Sequence, residues 1–324
     1  MKIAMIFPGY GSQFVGMGKE LYDESRVMQE YFEQAANCLD INFVKLCFAS
    51  SDVELGKMGN AYASIFLLSS SICQILKDEG IVPDVVAGFN IGEFSATHAA
   101  GGISFADGIY LINKYVTFYE EFLSSVDVSL IKISGIKADT VKEICEQHSV
   151  NDSFARVAIQ ITEDIQIVSG HTTVVEQVAE ALKKHDVQVE PAGVEFGLHS
   201  GIMRPVFDFL KLYLEKVDFH DSVIPLLSST EVHTISKGQS LRAAVLEHMT
   251  SPLLWDKVMD YLHDYDVLVE IGPGTMLSDL AKKLYPEKTI LSINTRADIE
   301  KLKEIVSDTS QYKEGQKQEE ATEE

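Results

Sequence analysis

Val85-Val86-Ala87-Gly88-Phe89-Asn90-Ile91-Gly92-Glu93-Phe94-Ser95-Ala96 is the stretch that decides the fold. An apolar run of strand character enters a G-x-N-x-G turn, and a segment of helical composition leaves it. The two glycines let strand and helix approach closely around one residue at positive φ, the arrangement known as a nucleophile elbow. In its catalytic versions the apex is serine, with Oγ exposed beside backbone N–H groups at the helix N-terminus. Here the apex is Asn90. Its amide nitrogen is delocalised into the carbonyl and cannot usefully attack a thioester, so no acyl-enzyme is expected at this residue. Asparagine does tolerate φ > 0, so the turn survives the substitution.

Working outward, Ile3–Phe7, Ile224–Ser228, Val267–Ile271 and Thr289–Ile293 are further short apolar runs ending near glycine, serine or proline. Amphipathic helices are expected between them, among them Asn60–Asp78 and Ala243–Leu262. Alternation of this kind predicts a hydrolase-like α/β domain with a mostly parallel sheet. The middle of the chain differs. Strand Ser129–Ser134, helix Ala138–His148, strands Phe154–Gln160 and Asp164–Ser169, helix Thr172–Lys184 and strand Val187–Val194 follow the β-α-β-β-α-β order of a ferredoxin-like unit. The expected organisation is a large domain of residues 1–126 and 197–305, a ferredoxin-like insertion at 127–196, and a disordered acidic tail at 306–324.

A formal charge of −22 argues against nucleic acid, whose phosphates would be repelled. No run of 18 uninterrupted apolar residues is present, and the apolar start Met1–Phe7 is too short for a signal segment, so a soluble cytoplasmic protein without membrane contact is expected. Cys38, Cys47, Cys73 and Cys145 lie far apart in stretches of helical periodicity and read as small core residues. No histidine or cysteine spacing marks a metal site, and no cofactor is called for. Beyond Tyr312 the tail is rich in glutamate and has no large apolar side chain.

Four motifs in order make the elbow specific: Phe7-Pro8-Gly9-Tyr10-Gly11-Ser12-Gln13, Gly88-Phe89-Asn90-Ile91-Gly92-Glu93, His199 in Phe196-Gly197-Leu198-His199-Ser200-Gly201, and Glu270-Ile271-Gly272-Pro273-Gly274. In this order the chain resembles the malonyl-CoA:acyl-carrier-protein transacylases, whose motifs read F-P-G-Q-G-S-Q, G-H-S-x-G-E, a catalytic histidine and E-x-G-P. The resemblance covers roughly residues 3–296. In length and in the state of its motifs the chain is similar to discrete acyltransferase homologues encoded beside polyketide synthases that lack built-in acyltransferases, as in bacillaene-type clusters. The resemblance implies a role in polyketide antibiotic biosynthesis. It implies an acyl carrier protein or polyketide synthase modules as partner, with acyl-CoA a further candidate ligand.

The departures from the family pattern concentrate on one expected pocket. Tyr10 replaces the glutamine that shapes the oxyanion region, Phe89 the histidine before serine, and Asn90 the serine itself. Tyr115 stands where the family places an arginine that pairs with the malonyl carboxylate. Lys114 is adjacent, but neighbouring helical positions point about 100° apart. His248 replaces a glutamine or asparagine that orients the histidine, and Ile91 completes the lining. His199 matches the family's general base. It reads either as a relic keeping a hydrogen bond, as a base activating water or a carrier thiol without an acyl-enzyme, or as a partner contact. The two functional readings are an acyltransferase homologue impaired in transfer, and an active thioester hydrolase or direct acyltransferase built on His199. Glu93, beside the helix N-terminus, reads as a cap, Gly272-Pro273-Gly274 as a tight turn, and Ser12 as a loop residue without a nearby base.

Overall fold

Residues 1–307 are described by the computed structural model. The apolar runs become strands β1 (Ile3–Phe7), β2 (Val85–Gly88), β3 (Val128–Ser134), β4 (Ala155–Thr162), β5 (Ile165–His171) and β6 (Gln188–Ala192). They continue as β7 (Leu226–Leu227), β8 (Thr234–Ile235), β9 (Leu253–Leu254), β10 (Val267–Ile271) and β11 (Thr289–Ile293). Six of them form one sheet in the order β11-β10-β1-β2-β7-β8, parallel except for the edge pair β7–β8. Every residue of β1, β2 and β10 is buried, as expected of parallel strands covered by helices on both faces.

Helix Met58–Asp78 lies within the core of this layer. It is long and apolar enough to cross a membrane by composition, yet 78% of its most apolar window is buried inside the protein. The single helix expected over Ala243–Leu262 is instead two, Gly238–Glu247 and Trp255–Leu262, with β9 between them. Pro252 explains the break, because it lacks an N–H and drives the residue before it out of helical geometry.

The second sheet has the order β6-β3-β5-β4-β9. Its first four strands pair antiparallel, and helices Ala138–His148 and Thr172–Leu182 supply the ferredoxin-like connections. Alternation along the strands separates two cores. Ile131, Ile133, Val157 and Val168 face the two helices, whereas Leu130, Ile159 and Ile167 join the main core. A register shift between Val157 and Ile159 accommodates the change of face on β4. The fifth strand, β9, comes from the distant segment that follows Pro252 and pairs parallel to β4 through Ile159 and Gln160. It welds the two sheets together.

Two expectations need correction here. Residues 306 and 307, assigned to the acidic tail, continue the helix at 296–307, and the rest of that stretch lies outside the described residues. Among the cysteines only Cys47 and Cys145 are buried. Cys73 is partly covered, and Cys38, in the last turn of its helix, is exposed.

Candidate active site

The elbow forms because nothing larger than glycine fits at its flanks. A Cβ on Gly88 would overlap the backbone of Glu93, and one on Gly92 would overlap the carbonyls of Phe7 and Pro8. The turn is tied to β1 by Phe89 N–H donating to Phe7 O at 2.9 Å, and it leads into helix Gly92–Ala99. Asn90 sits at the apex with φ 55°, in the left-handed region that asparagine accepts more readily than most residues.

Both ends of the Asn90 amide are used. Nδ2 donates to Phe196 O at 2.7 Å and to His199 Nε2 at 2.9 Å, while Oδ1 accepts from Tyr10 N–H at 3.3 Å. The surroundings dictate this orientation, since a flipped amide would point its oxygen at two acceptors. His199 Nδ1 lies 2.7 Å from His248 O, which places the ring proton on Nδ1 and leaves Nε2 as the acceptor. Asn90 and His199 are 2% and 1% exposed. Burial is the main cause holding the His199 pKa down at about 4, against the carbonyls of His248 and Phe196, which face the two ring nitrogens, favour the protonated ring and so raise it. The imidazole is therefore neutral at pH 7, and its one free lone pair faces an amide N–H.

The expected pocket residues gather around this pair in differing ways. Tyr10 brings its backbone N–H to Asn90, but its ring turns onto Phe196 at 5.5 Å between centroids and its hydroxyl donates to Gly56 O at 3.0 Å. Phe89 packs edge-on against Trp255 at 5.3 Å, and Ile91 is buried at the start of the helix. Tyr115 stacks between Tyr62 and Tyr119, with centroids 6.1 and 5.7 Å away. The orienting contact to His199 comes from the backbone carbonyl of His248, so any side chain at 248 leaves it available. The His248 ring meets His199 edge-on at 4.8 Å, and its Nε2 is buried with no partner. Ser12 Oγ donates to Gly9 O at 2.8 Å.

Two expectations about charge take a definite form. Lys114 places its ammonium over the rings of Tyr110 and Tyr213, at 5.7 and 5.5 Å. The chain has five arginines, and all are engaged elsewhere: Arg26 with Glu30, Arg156 over Phe154, Arg204 with Asp208, Arg242 with Val217 O, and Arg296 with Glu79 and Glu300. No lysine or arginine is buried among the described residues. Glu93 is not a cap. It makes no capping bond and is buried, and that burial raises its pKa to about 8 against one hydrogen bond from Ser229 Oγ at 3.3 Å. A carboxylate does serve the N-terminus of another helix, Met276–Leu284, where Glu270 accepts from the amides of Leu277 and Ser278 at 3.0 and 2.7 Å.

Sequence reading missed Tyr62, Tyr119 and Phe196. Tyr119 follows Tyr115 by one helical turn within Phe105–Leu123, a spacing that could have flagged it. Phe196 opens the motif around His199, but nothing local marks its carbonyl as an acceptor, and nothing local marks Tyr62.

Comparison with known proteins agrees with this fold. The profile of the acyl transferase domain matches residues 4–313. The chain is 29% identical over 302 residues to a malonyl CoA-acyl carrier protein transacylase of Bacillus subtilis (strain 168), covering 92% of this chain and 95% of that protein. Among solved structures, the malonyl CoA-acyl carrier protein transacylase of Clostridium perfringens superposes with a TM-score of 0.89 at 23% identity, over 97% of this chain and all of that one. A malonyl-transacylase solved in complex with its type II polyketide acyl-carrier protein superposes with a TM-score of 0.86 at 23% identity, covering 92% of this chain and 98% of that one. An elbow on a parallel sheet, a histidine hydrogen-bonded to its apex residue Asn90 and a match along nearly the whole length lead to one conclusion: the chain belongs to the acyl transferase domain family.

Proposed function

We propose that this chain is an acyltransferase homologue of polyketide antibiotic biosynthesis that has lost serine-based acyl transfer and acts in the cytoplasm through contacts with an acyl carrier protein or synthase modules. The observation that carries this reading is the Asn90 amide, which occupies the base through Nδ2 and the Tyr10 backbone donor through Oδ1. An acyl-enzyme needs a nucleophilic oxygen where the amide sits, a base with a free lone pair, and a vacant donor for the developing oxyanion. All three places are taken. The carrier-protein partner is supported by what the relatives are named for, one of them solved with its polyketide carrier. The polyketide setting rests on the resemblance to discrete homologues of such clusters.

Intact mass spectrometry after incubation with malonyl-CoA tests the reading, and no mass increase is expected. A stable adduct at Ser12, Ser95 or any other residue would overturn it. Release of free CoA without an adduct would instead favour the hydrolase or direct-transfer reading through His199.

A further inference from the structure

Three consecutive carbonyls of one short segment are gripped by three side chains from separate elements. Tyr119 Oη donates to Val194 O at 2.7 Å, Tyr62 Oη to Glu195 O at 2.5 Å, and Asn90 Nδ2 to Phe196 O at 2.7 Å. The segment is a single 3-10 turn, Val194–Phe196, between Gly193 and Gly197, and none of its side chains is buried. Phe196 O also lies 3.0 Å from His199 Nε2, so the turn sits directly on the Asn90–His199 pair. Its hold on the protein combines the three bonds with partly buried apolar contacts, Val194 and Phe196 packing on the core and the Phe196 ring resting on Tyr10. The chain leaving it turns through left-handed geometry, at Gly197 with φ 77°, which glycine adopts freely, and at His199 with φ 40°, which strains a non-glycine residue. A Cβ at Gly197 would press on the His199 ring, so glycine is needed for this seating.

We propose that Val194–Phe196 is a displaceable plug in a neutral, donor-lined pocket, and that its competitor is an uncharged amide-bearing chain such as a carrier's pantetheine arm. The proposal rests on the carrier-protein reading above. Beneath the turn the donors are two phenols and one carboxamide, and burial keeps both phenols protonated by raising their pKa values well above the usual 10. Such a set suits carbonyl oxygens. Pantetheine offers two amide carbonyls and no charge, whereas a carboxylate would enter a site without a buried cation. Loss of the polar anchors frees the turn at modest apolar cost, because Val194 and Phe196 pack on the core only partly buried and no side chain of the turn lies within it.

Hydrogen–deuterium exchange on the full chain tests the plug. The reporters are the amides of Phe196 and Gly197, which are bonded within the turn to Gly193 O and Val194 O. In Tyr62→Phe/Tyr119→Phe, which keeps both rings and removes both hydroxyls, these amides are expected to exchange at least about tenfold faster, with β1 and β10 unchanged. In the wild-type protein, millimolar pantetheine should speed exchange of the same amides, and malonate should not. If exchange rises in β1 and β10 of the variant as well, the variant is globally destabilised and the wild-type titration decides. Unchanged exchange in a folded variant, or pantetheine leaving the turn protected in both proteins, would overturn the proposal. This readout is independent of turnover, so an acyl-enzyme found by mass would sink the proposed function and leave the plug to its own test.

Discussion

An amide at position 90 does what a hydroxyl cannot: it donates twice and accepts once in fixed directions. Asn90→Ser leaves Phe196 O or His199 Nε2 without its donor, and a buried acceptor stranded in this way costs about 1–3 kcal/mol. The single variant is therefore expected to be less stable in urea titration and to gain no malonyl adduct. Adding Tyr10→Gln, Phe89→His and Tyr115→Arg to Asn90→Ser should raise transfer by more than the single effects combined, because catalytic groups act as a unit. A quadruple variant that folds, binds malonyl-CoA and forms no acyl-enzyme would show that the backbone has drifted. His199 makes a second prediction at this scale. Its folded pKa of about 4 lies below the ordinary 6.5, so between these values the folded state binds fewer protons than the unfolded one. That stability is fully present above pH 6.5 and is lost as pH falls toward 4, on the order of 3 kcal/mol at about 1.4 kcal/mol per unit. His199→Asn, which suits the φ of 40°, should flatten the fall in urea midpoint between pH 6.5 and 4.5. An unchanged slope would count against the assignment.

At the level of elements, the elbow survives because its constraints are steric and short-range, whereas the helix that follows carries an unexpected burden. Glu93 stands in the first turn of Gly92–Ala99, where the helix dipole favours a carboxylate, yet burial wins and raises its pKa to about 8. A raised acid pKa means that the folded state holds the extra proton between about 4.5 and 8. Its contribution is complete below pH 4.5 and is lost as pH climbs through 8. Glu93→Gln keeps the shape and cannot ionise. The variant should match the wild type near pH 5 and exceed its melting temperature by several degrees at pH 8.5. Equal melting temperatures at both pH values would mean that the carboxyl is charged in the fold. The expected helix Ala243–Leu262 failed for the converse reason: apolar periodicity persisted across Pro252, but the backbone could not.

For the whole molecule, two consequences follow from how distant segments meet. With the five arginines committed elsewhere and no buried lysine, the described residues offer no buried cation to neutralise a malonyl carboxylate in the site. Malonyl-CoA is thus expected to bind no better than acetyl-CoA in calorimetry, since a charge-assisted pair worth about 1.5–3 kcal/mol is missing. A tenfold malonyl preference would point to a cation brought in by rearrangement. The second consequence concerns cooperativity. β9 belongs to the small sheet but leads straight into Trp255, which is fully buried against Phe89 under the elbow. Fluorescence of this one tryptophan and far-UV circular dichroism should therefore report a single coincident urea transition. Separated transitions would show that the β4–β9 pairing does not couple the two sheets.

Local rules were legible in the residues alone. Period-two and helical alternation placed the strands and most helices. Paired glycines around Asn90 announced a positive-φ turn, and the β-α-β-β-α-β order between 127 and 196 foretold the small sheet. Each of these depends on backbone sterics and on neighbours a few positions away. The role of the Asn90 amide did not, because its partner Phe196 lies 106 residues on, and the bonds from Tyr62 and Tyr119 to the same turn span 133 and 75 residues. The backbone source of the contact to His199, the outward turn of Lys114 and the buried state of Glu93 were likewise settled by packing. Hydrogen-bond partners and desolvation are properties of the space a side chain ends in, and only the assembled chain defines that space.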